Sequence, residues 1–322
     1  MAKKVGGHSL IESAEALITS REETRAGFIA MALEKNYMAV PYVEQAIALK
    51  TLASSAESPL ALLDMEMLRA GLLTASGLSE KSLNYLTEDD KTIAIKGLIE
   101  NFLEPAGTEF VDELVYRFLL TKGDALGGKA RNLAGTLGER KFLRTLISVF
   151  NIAGISYRWK DGDSNTWLEK PDDDAGIEKR IKALYWKGEH DRLLVLNVNV
   201  PMVNKNVDVI VLDAKEEEYL KSSKDSIIYQ AERYVALGEM KGGIDPAGAD
   251  EHWKTANSAL NRIRTGFNSL GFSPQLFFIG AAIEAAMAQE IYQQLQNENL
   301  HQAANLTKDA QLTAICGWLA QI

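Results

Sequence analysis

A chain of 322 residues is long enough to bury one large core or two modest ones. Hydrophobic residues at 46% and charged residues at 25% match folded domains and exclude wholesale disorder. The formal net charge of −9 is the opposite of the overall footprint of a protein that coats a polyanion, and the lone cysteine, Cys316, excludes an intrachain disulfide and a four-cysteine zinc site.

Along the chain, Met-Ala-Lys-Lys is followed by Gly6, Gly7 and His8, with no apolar signal-peptide core, and the longest apolar run (276–288) is broken by Glu284 and too short to span a bilayer. A reducing, cytoplasmic setting without membrane attachment is expected. From about residue 9 to 153, apolar residues recur at three- and four-residue spacing, and Ser58-Pro59 and Thr87 to Asp90 read as helix starts. Six or so helices are predicted there. The glycines of 123–131 lack the GxxxxGK[ST] phosphate-loop pattern and a preceding strand, so they are expected to open a helix whose Lys129 and Arg131 face solvent or a DNA backbone.

After Ile155 the texture changes, and residues 159–163 and 170–174 read as exposed turns. Short runs rich in Val, Leu and Ile predict strands over 193–200 and 207–212, with a third over 233–240 ending at Gly242-Gly243. Helical spacing returns over 249–270, with Trp253, Ala256, Leu260, Ile263 and Phe267 on one face and Asp250 placed to cap the start. A strand over 275–279 and helices near 284–296 and 307–319 complete the chain. This order predicts an α/β (or α+β) protein, with a mainly helical portion (1–153) and a mixed-sheet catalytic domain (154–322).

Charge is unevenly spread. Residues 117–144 hold Arg117, Lys122, Lys129, Arg131, Arg140, Lys141 and Arg144 against Asp124 and Glu139, and residues 252–264 hold three basic side chains and no acid. Two solvated helix faces account for this, and so does a basic cleft in an acidic body.

The chemistry-bearing pattern lies on two of the predicted strands. Asp208 interrupts the apolar run VDVIVL, and Glu239 and Lys241 sit two apart in GEMKG, so that both project from one strand face while Met240 faces the core. If the strands are neighbours, Asp208 joins them. Two carboxylates suit Mg²⁺, a hard ion that prefers oxygen. An ammonium at Lys241 suits an orienting and charge-stabilising role in phosphodiester hydrolysis. Asp, then a gap, then Glu-x-Lys resembles the pattern of restriction-endonuclease-like nucleases, although an edge strand with an ordinary ion pair presents the same residues. Gly238 and Gly242-Gly243 are expected to leave the backbone open to a large ligand, and Asp213, at the strand end and odd in register, should point away. His252, thirteen residues after Glu239, suits a general base near neutral pH or a packed surface imidazole. His8, His190 and His301 have no ligand-like acidic neighbours.

The stretch GEMKGGIDPAGADEHWKTAN (238–257) resembles the catalytic stretch of the AvaI/BsoBI family of type II restriction endonucleases, and RAGFIA (25–30), LIENFLEPAG (98–107), NVD (206–208) and FIGAAIE (278–284) follow the family in the same order. The first 20 or so residues lie outside these stretches. The resemblance implies a restriction-endonuclease-like sheet core, a homodimer encircling double-stranded DNA with help from the helical portion, Mg²⁺-dependent cleavage at the degenerate palindrome CYCGRG, and a cognate DNA methyltransferase that protects the host. By position it implies that Asp208, Glu239 and Lys241 are the metal and catalytic residues, that His252 is the general base, and that Lys81 and Asp245 contact bases. Lys donating to guanine and Asp accepting from cytosine agree with that, although by themselves Lys81 is a solvated lysine and Asp245 a turn residue. A junction-resolvase-like nuclease, or a catalytically inert DNA-binding protein on the same fold, remains as an alternative reading.

Overall fold

A computed structural model describes residues 11–130, 132–220 and 224–322. His8 and Arg131 lie outside the described residues. By their contacts the residues form two units, one made of the described residues up to Phe28 with 134–322, and the other of Ile29–Leu133.

The helices before the sheet are α1 (Ala14–Leu17), α2 (Arg21–Ala53), α3 (Arg69–Ala75), α4 (Glu80–Leu83), α5 (Glu88–Leu98), α6 (Phe110–Ala130) and α7 (Leu133–Ala153). The expected starts at Ser58 and Thr87 are capped as their side chains dictate. Ser58 accepts from Ala61 N–H ahead of Pro59, and Thr87 and Asp90 form a reciprocal capping box. The helical unit packs around Leu62, Leu72, Ile95, Ile99, Leu103, Leu114 and Phe118, all buried.

Gly123, Gly127 and Gly128 lie inside the second half of α6 and do not open a helix, because the apolar spacing begun at Phe110 carries the backbone through them. Lys129, near its end, donates to the Tyr42 hydroxyl at 3.0 Å.

The strands are β1 (Tyr157–Asp161), β2 (Trp167–Glu169), β3 (Ile181–Lys187), β4 (Asp191–Val200), β5 (Lys205–Leu212), β6 (Tyr234–Lys241), β7 (Gln275–Gly280) and β8 (Gln302–Asn305), with α8 (Ala249–Asn268) after β6, α9 (Ala285–Gln296) after β7 and α10 (Asp309–Gln321) after β8. They form one mixed sheet in the order β2-β1-β3-β4-β5-β6-β7-β8. Pairing is antiparallel as far as β6, and β6, β7 and β8 run parallel.

Trp159 to Asp161, expected in an exposed turn, is strand. Tyr157, Trp159 and Asp161 point inward and Arg158 and Lys160 outward, so the charged outer face disguised a period-two pattern. Buried Asp161 takes a bidentate bond from Arg180 and closes the turn that follows. Asp250 does not cap α8. It lies in the first turn, paired with Lys254, and the helix follows directly from a turn that Asp245 caps. The expected apolar face of α8 is buried against the sheet with Leu237 and Phe278. Among the described residues no helix is long and apolar enough to cross a membrane.

Candidate active site

β5 lies between β4 and β6, so both its edges are paired, and its side chains from Val207 on are buried on both faces, at Val207 and 209–212. Asp208 is the half-buried exception. Val209 pairs with Gly238, and one further step of the same register sets Asp208 across from Glu239, on the same face.

Lys241 Nζ donates to Glu239 Oε2 at 3.0 Å and to Asp208 Oδ2 at 3.2 Å, and the Met240 N–H donates to the same Asp208 oxygen at 2.8 Å. Met240 is half-buried rather than in the core; β6 is still paired with β7 there, at Ile279, while its ladder with β5 ends at Gly238. Side-chain exposure is 5% for Glu239, 19% for Lys241 and 26% for Asp208, so solvent reaches the cluster from the Asp208 side.

Burial, and then the negative charge of Asp208, push the Glu239 carboxyl up to about 7 against the opposing pull of Lys241. Burial disfavours the Lys241 ammonium, but Asp208 and Glu239 outweigh it and hold the lysine above its ordinary pKa. Lys241 is therefore charged at neutral pH and acts as a donor, not as a base. Glu239 Oε1 is buried and has no hydrogen-bond partner. An orphaned carboxylate oxygen beside a second carboxylate fits a divalent cation, which would satisfy both. Among the described residues no group of three His, Cys, Asp or Glu side chains surrounds a common point. Two carboxylates alone would leave most positions of such an ion to water and phosphate, as Mg²⁺ prefers.

The glycines beside the cluster face protein rather than an open approach. A Cβ on Gly238 would drive into the Phe277 ring on β7, and one on Gly242 into the Ala134 carbonyl at the start of α7. A Cβ on Gly243 would stand 2.8 Å from His252 Nε2, and one on Gly248 3.2 Å from it. Half-buried His252 thus rests on the backbone of the loop that links β6 to α8. Asp245 is exposed in that loop and accepts from the Ala247 N–H at 3.0 Å. Lys81 is exposed on α4, in the helical unit. Asp213 follows β5 and pairs with Arg192 at 3.2 Å, outside the cluster.

Four of the basic residues in 117–144 have acidic partners, Arg117 with Glu113, Lys122 with Glu80, Lys141 with Asp309 and Arg144 with Asp174. These four are therefore paired with carboxylates and not bare charges. Sequence reasoning also missed Thr19 and Asn305, whose bonds reach the segment holding the end of β6. FIGAAIE was the one visible signal of that segment.

The family model described as "Restriction endonuclease BsobI" matches residues 7–322. The chain is 53% identical over 313 residues to the type II restriction enzyme AvaI of Nostoc sp. (strain PCC 7120 / SAG 25.82 / UTEX 2576), covering 97% of this chain and 98% of that one. It is 50% identical over 317 residues to the type II restriction enzyme BsoBI of Geobacillus stearothermophilus, covering 97% of each.

Proposed function

The chain belongs to the BsobI restriction endonuclease family and is a type II site-specific deoxyribonuclease, and we propose that it hydrolyses phosphodiester bonds of double-stranded DNA with Mg²⁺ at the cluster of Asp208, Glu239 and Lys241. The observation that carries this reading is the partnerless, buried Glu239 Oε1 beside Asp208 and Lys241.

Asp208 and Glu239 would hold the cation. The chemistry it supplies when bound is Lewis-acid polarisation of the scissile phosphate and acidification of an attacking water. Lys241, charged and anchored by both carboxylates, orients the attacking water and offsets charge gained by the phosphoryl oxygens in the transition state. His252, in the first turn of α8 and packed on the loop after β6, accepts the proton of the attacking water. Burial of Glu239 keeps these charges in a medium of low polarity, where each interaction is stronger than in water.

Lys81 and Asp245 read base edges in this proposal, Lys81 as a donor to guanine and Asp245 as an acceptor from the cytosine amino group. The recognition sequence is CYCGRG. A two-fold palindrome calls for a two-fold enzyme, so a homodimer cuts one strand with each subunit, and the helical portion expected over 1–153 takes part in holding the DNA. A cognate methyltransferase protects host DNA, and the enzyme works in the cytoplasm, where the DNA is.

The test is to incubate the purified protein with plasmid and Mg²⁺ and to sequence the fragment ends. Discrete ends within CYCGRG support the proposal. Ends scattered over sequence, or cleavage confined to branched DNA, overturn its specificity, and cleavage undiminished by a chelator overturns its metal.

A further inference from the structure

We propose that Thr19, held in place by Asn305, is a positioning residue for Lys241. The inference rests on the catalytic reading of Lys241 given above.

Lys241, Gly280 and Asn305 stand side by side where β6, β7 and β8 end, since Lys241 pairs with Gly280 and Gly280 with Asn305. Beyond this row the backbone at Lys241 is held by the irregular segment after β7. The Ala281 N–H donates to the Lys241 carbonyl at 2.9 Å, and the Ala282 N–H donates to the Gly243 carbonyl at 3.1 Å. That short segment therefore fixes the backbone of the reactive lysine and of the loop on which His252 rests.

The segment is in turn held by Thr19. Thr19 Oγ1 donates to the Ala281 carbonyl at 2.7 Å and accepts from the Ile283 N–H at 3.0 Å, while the Thr19 N–H donates to the Ile283 carbonyl at 3.0 Å. Asn305 is fully buried, and its Nδ2 donates to Thr19 Oγ1 and to the Leu17 carbonyl, each at 2.7 Å. Its Oδ1 is also occupied, by the N–H and the hydroxyl of Thr307. One hydrogen and two lone pairs are all that a hydroxyl offers, and Thr19 uses all three.

In the run from Asn305 through Thr19 and Ala281 to Lys241, Asn305 and Ala281 are buried and Thr19 and Lys241 half-buried, and every joint is a direct hydrogen bond. Elsewhere the same stretch of chain is packed at Gly27, where an added Cβ would drive into the Ile244 side chain, and Lys308 lies 4.0 Å from Glu23. Loss of the Thr19 hydroxyl leaves the Ala281 carbonyl and the Ile283 N–H without their partner, and the segment relaxes by shifting. A shift well under 1 Å passes directly to Lys241, whose reach to both carboxylates depends on where β6 ends.

The test compares Thr19→Val, which keeps the shape and removes the hydroxyl, with Thr19→Ser, which keeps the hydroxyl, and with Lys241→Ala. Single-turnover cleavage at saturating enzyme, equilibrium DNA binding without catalytic metal, and melting temperature are measured for each. Thr19→Val is expected to slow cleavage about 10- to 100-fold with DNA affinity within about threefold of the parent, and Thr19→Ser to restore the rate to within about threefold. If Thr19→Val does not fold, Thr19→Cys replaces it, with a slowing of at least about threefold expected from its weak donor. Parental cleavage by the hydroxyl-deficient protein, equal slowing by the serine variant, or slowing only as far as the protein melts would overturn the inference. Loss of cleavage in Lys241→Ala alone would locate the failure in the Thr19 inference, whereas parental cleavage by Lys241→Ala would remove the catalytic reading and this inference with it.

Discussion

Lys241 Nζ lies 3.0 Å from Glu239 Oε2, two residues earlier on the same strand, while the second oxygen of that carboxylate is buried without a partner. A single ammonium thus serves half of one carboxylate and an oxygen of a second, and negative charge is left over in a largely closed space. Such an arrangement weakens the metal-free fold, and a cation bound there, as proposed, would offset the excess charge.

Glu239 makes that imbalance measurable. Its carboxyl titrates at about 7 in the folded chain against an ordinary 4.5, so folding favours the protonated form. Below about pH 4.5 the group is protonated whether folded or not and the penalty is absent. As pH rises towards 7 the unfolded chain ionises first, and above 7 the penalty is complete. Glu239→Gln is therefore expected to stabilise the metal-free protein at pH 8 by on the order of 1 to 3 kcal/mol, to do little at pH 4, and to abolish cleavage. Melting curves at the two pH values check this, and an equal gain at both would contradict it.

Lys241→Ala is expected to reduce single-turnover cleavage by at least about 1000-fold while specific DNA binding survives, because the ammonium acts on charge that develops in the transition state. Binding in the absence of catalytic metal, measured beside cleavage in its presence, separates the two effects. Turnover at the parental rate would exclude the residue from the chemistry.

His252→Ala should slow the chemical step by about 100- to 10,000-fold if the imidazole takes the proton of the attacking water. The side chain packs against Gly243 and Gly248, so His252→Gln, which fills part of the space, separates lost packing from lost basicity. A rate for His252→Gln near that of the parent would leave His252 a packing residue.

Lys81→Ala and Asp245→Ala are expected to relax discrimination at individual base pairs by about 1 to 3 kcal/mol without abolishing cleavage of the preferred site. Cleavage of a library of sites with single substitutions reads this directly. A preference unchanged at every position would count against either residue as a base reader.

Gly242→Ala should destabilise the protein by several kcal/mol, on the order of the cost of overpacking against backbone, since its Cβ meets the Ala134 carbonyl. Gly123→Ala, within α6 and with open space around its Cβ, should stabilise by about 0.5 to 1 kcal/mol. Denaturant titrations of the two variants check the contrast, and a neutral Gly242→Ala would show that the approach to α7 yields cheaply.

From β4 to α10 every strand and α-helix but β8 was legible, because each follows a local rule. The apolar run interrupted by Asp208, the two-residue spacing of Glu239 and Lys241, and the apolar face of α8 are all written within a few turns of chain. β2 and β3 went unpredicted, and β1 and β8 escaped for a local reason. Arg158, Lys160 and Asp161 make β1 look like a turn, and the Gln-Ala-Ala-Asn of β8 lacks the β-branched residues that announce a strand. Both become strands through the neighbours they pair with.

By itself the sequence determined the family, the residue types able to do the chemistry, and the strand face shared by Glu239 and Lys241, because composition, motif and strand periodicity are properties of the chain alone. Only the tertiary structure decided that Asp208 meets them, that one oxygen of Glu239 is left without a partner, that the nearby glycines yield to protein neighbours, and that Thr19 and Asn305 reach the end of β6 from opposite ends of the polypeptide. Those outcomes depend on strand order and burial, which arise from contacts between residues as far apart as Asn305 and Thr19, 286 positions, and no local pattern encodes such a contact.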